Sequence, residues 1–249
     1  MKKILTVVFC AVVGVQICAA QFTTKKYTVA IGEFKGKYAE NMRSASFGSM
    51  PVCRVNVVDL DNCNIDEVDY IVSCNIGEPS TERGNSILLG DYISAKVPFT
   101  LVLTDARTGQ VVATREHYTL GTDKDKMRAI SNAQKFEDYE MRRLIDKGCI
   151  ARVQILTVES KKDKATTAYA AGGATIGICK DLCFDVQVET DIAGRKIYKT
   201  IGAAKAVEVL GDDMVQIEIT KGNKEVKKMF DDGLVLVVTS KEAPSKLFE

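Results

Sequence analysis

The side chains able to carry chemistry in this 249-residue chain are few in kind. There is one histidine, His117, and it falls inside Gln110-Val-Val-Ala-Thr-Arg-Glu-His-Tyr118, an alternating run that reads as a strand. A single imidazole rules out paired-histidine zinc sites, and His117, inside a strand, is expected to be a surface or satisfied core residue. Gly32-Glu-Phe-Lys-Gly36-Lys37-Tyr38 fails as a phosphate loop, because it is one residue short between its glycines and ends in Tyr instead of the magnesium-binding hydroxyl. Gly172-Gly-Ala-Thr-Ile-Gly177 fails as a dinucleotide fingerprint: its first two glycines are adjacent and no crossover helix follows. Asp59-Leu-Asp61-Asn-Cys63-Asn64 opens like a calcium loop, but Asn64 replaces the sharp-turn glycine and Tyr70 stands where a bidentate Glu is required. No Gly-x-Ser-x-Gly elbow occurs and no acid/base pair of carboxylates stands out. The expectation is a protein with no enzymatic activity, no catalytic residues, no metal and no cofactor.

Cysteine is the remaining reactive type. Of eight in the chain, Cys10 and Cys18 lie in the N-terminal segment, which leaves Cys53, Cys63, Cys74, Cys149, Cys179 and Cys183. In an oxidising compartment an even number permits disulfides, yet the sequence selects no connectivity. Cys179 and Cys183 are close enough to pair across a turn and form the candidate disulfide. The rival reading makes several of these residues small buried apolar groups, since Cys53 and Cys74 sit within strand-like runs.

The N-terminus indicates compartment. Lys2-Lys3 precede an apolar run from Ile4 to Ile17 and the small residues Cys18-Ala19-Ala20, the layout of a secretory signal over residues 1–20 with cleavage between Ala20 and Gln21. The run is shorter than the roughly 20 residues of a membrane span. Ile17 is bulky where lipid-attachment signals carry a small residue, which argues against acylation at Cys18. Lys+Arg 34 balance Asp+Glu 33, and the densest charge cluster, Lys161-Lys-Asp-Lys164, contains an acid and reads as a solvated turn. There is no electrostatic case for nucleic acid.

Two bodies are expected to position these residues. In residues 21–147, strands over Tyr27 to Phe34, Arg54 to Asp59 and Val68 to Ile76 alternate with a helix over Lys37 to Phe47. Val68 to Ile76 is apolar enough to be buried on both faces. Gly77 to Gly90 reads as a mobile loop. Phe99 to Asp105 and Gln110 to Tyr118 form a hairpin about Gly109. A long helix then starts from a cap at Thr122 or Asp123, carries Met127, Ile130, Met141, Leu144 and Ile145 on one face, and closes in the left-handed conformation at Gly148. Beyond Gly148 the period becomes that of strands, in a small β-domain over 148–241 that centres on a turn with Gly173, Gly177 and Asp181. Residues 242–249 read as a loose tail.

Two sets of residues resemble known families. Val29-Ala-Ile-Gly-Glu-Phe34, Val68-Asp-Tyr-Ile-Val72 and Leu103-Thr-Asp-Ala-Arg-Thr-Gly-Gln-Val-Val-Ala-Thr114 resemble the CsgG-like envelope proteins, the family of the curli secretion channel subunit. Gly173-x3-Gly177-Ile178-x5-Phe184-x-Val186, with Gly194-Arg195 and Ala206-Val-Glu-Val209, resembles the C-terminal domain of the flagellar assembly protein FlgT. Asp181 stands where that pattern has Gly, which predicts a rearranged turn. The resemblances imply a three-layer-like α/β N-terminal domain followed by a small β-barrel-like C-terminal domain, an α+β or α/β chain. They also imply a place in the periplasm, with possible association with the outer membrane.

The resulting expectation is an exported, non-catalytic binding or assembly protein. Its partners would be other cell-envelope proteins or further copies of the chain, without nucleic acid or a small-molecule cofactor. The alternative is a subunit of an oligomeric outer-membrane secretion channel of CsgG type. That reading needs strand pairs with an apolar outer face, which Phe99 to Tyr118, carrying Asp105, Arg107, Arg115 and Glu116, does not supply.

Overall fold

The computed structural model describes residues 22–86, 90–136 and 138–243, so the expected signal peptide, its cleavage between Ala20 and Gln21, and residues 244–249 of the tail lie outside the described residues. Strand accounts for 53% and helix for 21% of the structure, in two sheets. The first sheet is built from β1 (Tyr27–Lys35), β2 (Val55–Asp59), β3 (Tyr70–Ile76), β4 (Ser80–Ser86), β5 (Gly90–Asp105) and β6 (Val111–Asp123). Its order is β2-β1-β3-β5-β4, with β6 on the free side of β5. The helices α1 (Ala39–Ser49), α2 (Lys126–Asn132) and α3 (Asp138–Gly148) all contribute to one core with this sheet: Met42 from α1, Ile130 from α2, and Met141, Leu144 and Ile145 from α3 pack with Val29, Ile31, Val72, Leu101 and Leu103.

That arrangement overturns the three-layer α/β expectation. Val72, Cys74 and Ile76 of β3 are buried beneath the helices, but Ile71 and Ser73 are half-buried and Asn75 is exposed. Along β5 and β6 the same alternation puts Lys96, Thr100, Glu116 and Tyr118 on the face away from the helices. A third layer would have to bury those polar groups without partners. β1 is covered on its second face, where the turn Leu60–Asn62 lies over Gly32.

Three local readings are corrected with it. The segment Gly77 to Gly90 contains β4, which continues the line of β3 along β5: Ile76 faces Phe99, Gly77 donates its amide to the Pro98 carbonyl at 2.9 Å, and Ser80 faces Lys96. Its polar composition conceals a strand at the sheet edge. The long helix is two helices. Asp125, not Thr122 or Asp123, caps α2 by accepting from the Arg128 amide at 3.0 Å. The chain breaks after Ala133 because the Thr119 hydroxyl donates to the Ala133 carbonyl, and Phe136 turns inward edge-on to Phe99 and Phe34 at 5.0 and 6.1 Å. Met127, by contrast, is exposed. Gly148 is not among the glycines at positive φ. It is needed for space, since a Cβ there would lie 2.2 Å from a Leu103 methyl.

The second sheet is a closed barrel of β7 (Arg152–Lys161), β8 (Lys164–Ala171), β9 (Cys183–Ile192), β10 (Arg195–Val209), β11 (Met214–Lys221) and β12 (Leu236–Lys241), in the order β10-β11-β8-β7-β12-β9. Closure leaves no free edge. Lys162-Asp163 and Ala193-Gly194 are two-residue hairpin turns with all four φ angles positive, between 49° and 75°, the geometry that matches strand twist. Val153, Ala168, Phe184, Val186, Ile217 and Val238 fill the interior. The helix α4 (Asn223–Asp231) covers one mouth through Val226, and the loop from Gly172 to Leu182 fills the other with Ile176, Ile178 and Leu182. In that loop Asp181 itself takes the left-handed conformation, φ 67°, with its amide on the Ala206 carbonyl at 3.0 Å.

The approach of α2 to β6 is close enough to test. A Cβ on Gly121 would lie 2.2 Å from the Ala129 carbonyl oxygen and 2.4 Å from the Ala133 nitrogen, all backbone that cannot swing aside. Gly121→Ala is expected to push α2 off the sheet and lower the unfolding free energy by at least about 2 kcal/mol, in the range of overpacking penalties. Urea denaturation measures this, and an unchanged midpoint would show that α2 does not dock as described.

Candidate functional site

The two bodies meet at a buried guanidinium. Arg54 lies in the turn that leads from Pro51 into β2, its amide donating to the Pro51 carbonyl at 2.7 Å. Its side chain donates Nε to Asp146 Oδ1 at 2.8 Å, Nη2 to the Cys149 carbonyl at 2.8 Å and Nη1 to the Gly177 carbonyl at 2.5 Å. The Arg54 and Asp146 side chains are 1% and 3% exposed, so this pair is isolated from water. One residue thus holds α3, the connection to the barrel and the barrel loop. Gly177 is required twice over: its φ is +75°, and a Cβ on it would lie 2.1 Å from the Arg54 carbonyl oxygen. Around this centre the Tyr27 hydroxyl donates to the Ile150 carbonyl at 3.0 Å, Thr23 and Arg152 pair through their backbones at 2.9 Å, and Arg143 reaches Glu242 at 2.6 Å.

Beside Arg54 the structure brings Cys53 against Cys179, while Cys183 Sγ lies 3.9 Å from the Asp181 carbonyl. The neighbouring Cys179 thiol, together with Arg142 and Arg54, favours the Cys53 thiolate and brings its pKa down to about 6 against the opposing effect of burial. The corresponding effect pushes Cys179 up. Burial pushes Cys74 and Cys149 up to about 12, which makes them inert core residues. Of the turn residues singled out in the sequence, Gly177 and Cys179 belong to this seam. Gly173 lies farther round the loop, where a Cβ would meet the Gly211 carbonyl oxygen at 2.4 Å, and Asp181 pairs with Lys205 at 2.7 Å. Sequence reasoning missed Arg54 and Asp146 completely. Nothing distinguishes a buried arginine from the chain's other basic residues until the fold is known.

His117 packs near a second group. Arg115 makes two bonds to the buried Glu140, and His117 Nδ1 lies 3.2 Å from Glu140 Oε1. These contacts secure α3 to β6, and the same His117 Nδ1 lies 3.0 Å from the Tyr118 carbonyl. On the sheet face without helices, Asn75, Lys96, Thr100, Glu116 and Tyr118 line a shallow concavity of about 560 Å³, and Lys96 Nζ sits 3.8 Å over the Tyr118 ring. In the segment that only opens like a calcium loop, Asp59 serves structure: the Asp61 amide that it accepts from, and then its pairing with Arg43, hold it below its usual range. Among the described residues no three His, Cys, Asp or Glu side chains gather as metal ligands, and no helix is long and apolar enough to cross a membrane.

No protein-family model and no curated protein matches the sequence. Among solved structures, the chain overlaps the PelC dodecamer from Paraburkholderia phytofirmans at 15% identity and a TM-score of 0.32, over 47% of this chain and 87% of that one. It overlaps a lipoprotein from Neisseria meningitidis at 11% identity and a TM-score of 0.27, over 40% and 86%. A protein from Xanthomonas campestris gives 11% identity and 0.31, over 46% and 78%. Overlaps this weak carry no argument about what this chain does or binds.

Two measurements test the seam. Arg54→Met leaves the buried Asp146 with only the Arg142 guanidinium at 3.6 Å and is expected to cost about 3–5 kcal/mol in urea denaturation, and adding Asp146→Leu is expected to restore most of it. A double variant no more stable than the single one would show that the pair is not an isolated unit. In the reduced protein, iodoacetamide at pH 7 is expected to modify Cys53 ahead of Cys74, Cys149 and Cys179. The Cys53 rate should fall as pH drops through about 6, where its thiolate is protonated. A rate that keeps rising steeply from pH 7 to 9 would place that thiol in an ordinary environment.

Proposed function

We propose that this chain is an exported binding or assembly protein of the cell envelope that works through protein contacts and performs no chemistry, with a CsgG-like first body and a FlgT-like second one. The observation that carries the reading is the one-sided first sheet. Its helices cover a single face, and the other presents Lys96, Pro98, Glu116, Tyr118 and Leu120 to solvent on strands held rigid by the core behind them. Aromatic and aliphatic groups ringed by charge on a stiff scaffold suit protein recognition, in which a few anchors provide most of the affinity. The secretory layout of residues 1–20 supports the compartment.

The native mass of the protein from fractionated cells, measured with and without detergent, decides between this reading and a channel subunit. The expected species stays in solution without detergent, and Leu120→Asp on the open face shifts it to the monomer mass without changing its melting temperature. A large assembly that exists only in detergent would overturn the proposal in favour of the channel. A monomer of unchanged mass for both forms would remove the open face as a contact between copies of this chain.

A further inference from the structure

We propose that Cys53 and Cys179 form a disulfide that joins the first body to the barrel across the seam. The geometry is set by contacts that do not involve sulfur. The Arg54 peptide, adjacent to Cys53, packs directly on Gly177, two residues before Cys179, at a distance that excludes even a methyl group between them. The Arg54 side chain then holds the Gly177 carbonyl at 2.5 Å, and Arg142 Nη2 reaches the Lys180 carbonyl at 3.5 Å, so the chain is fixed on both sides of Cys179. Between these anchors the Cys53 and Cys179 thiols are neighbours. Cys53 is exposed to solvent, so an oxidant can reach it, whereas Cys74 and Cys149 are sealed in the first core.

The chemistry is thiol–disulfide exchange with a protein or small-molecule disulfide of an oxidising compartment as the oxidant. The Cys53 thiolate, its proton released to water, attacks one sulfur of that disulfide and forms a mixed disulfide, and the other sulfur leaves as a thiolate. Cys179, losing its proton, then attacks Cys53 Sγ and expels the second sulfur of the oxidant. Two protein thiols become one disulfide, and the oxidant leaves as two thiols. The basic side chains Arg54 and Arg142 stabilise the attacking thiolate, the kind of setting that marks reactive cysteines. The bond would convert a seam held by one buried ion pair and a set of hydrogen bonds into a covalent joint. It does not depend on which face of the protein meets a partner.

Peptide mapping without reduction tests the assignment, because trypsin separates all three candidate thiols: Cys53 falls in residues 44–54, Cys179 in 165–180 and Cys183 in 181–195. The full chain recovered from the envelope fraction, with free thiols blocked at acid pH, is expected to yield peptide 44–54 joined to 165–180 and a mass lower by two hydrogen atoms. The same bond should form when the reduced protein equilibrates with oxidised and reduced glutathione. Cys183→Ser should keep the link, and Cys53→Ser should return Cys179 as a free thiol. A link between 165–180 and 181–195, or both Cys53 and Cys179 free in the recovered protein and after equilibration with glutathione, would overturn the proposal.

Discussion

The buried contact of Arg54 with Asp146 is the constraint on which the rest of the arrangement depends. A guanidinium removed from water must have its donors satisfied, and here the three partners come from α3, from the link into the barrel and from the barrel loop. Only one placement of the barrel against the first sheet meets that requirement. A purely apolar seam would tolerate sliding, since hydrophobic contact is non-directional, whereas three hydrogen bonds with fixed directions do not. Gly177 makes the approach possible and Arg54 makes it specific.

The two sheets solve one problem in opposite ways. Each has apolar side chains on alternate positions and must cover the face they form. The second closes on itself, plugs its mouths with Val226 and Ile178, and has no edge left over. The first remains open, lays three helices over one face and leaves the other to Lys96, Glu116, Tyr118 and the threonines between them. The barrel is therefore self-contained, while the first body retains a flat surface and free strand edges through which a second molecule can be met. The Cys53 thiol, whose pKa is lowered, lies at the seam between the two bodies.

Local pattern was legible wherever a single residue's own preference decided the outcome. The period-two runs at Tyr27, Phe99 and beyond Gly148 and the hairpin glycine Gly109 followed from side-chain alternation or from steric freedom at one Cα. Where the answer depended on a neighbour distant in sequence, it was not legible. Polar β4 is a strand because β5 offers it a ladder of hydrogen bonds. The helix after Asp125 stops because Thr119 takes the Ala133 carbonyl. The apolar run of β3 read as doubly buried, yet only the face beneath the helices is sealed.

By itself, then, the sequence determined the change from helical to strand period near Gly148, the shortage of catalytic side chains and the secretory layout of its N-terminus, because these are properties of composition and of spacing along the chain. Tertiary structure alone decided the number of layers, the burial of Arg54 against Asp146 and the meeting of Cys53 with Cys179. Each of these joins residues from separate parts of the chain, and close neighbours in sequence, such as Cys179 and Cys183, are the pairs that spacing can suggest. Which groups lose their water, and which partner replaces it, is settled only when the two bodies close on each other.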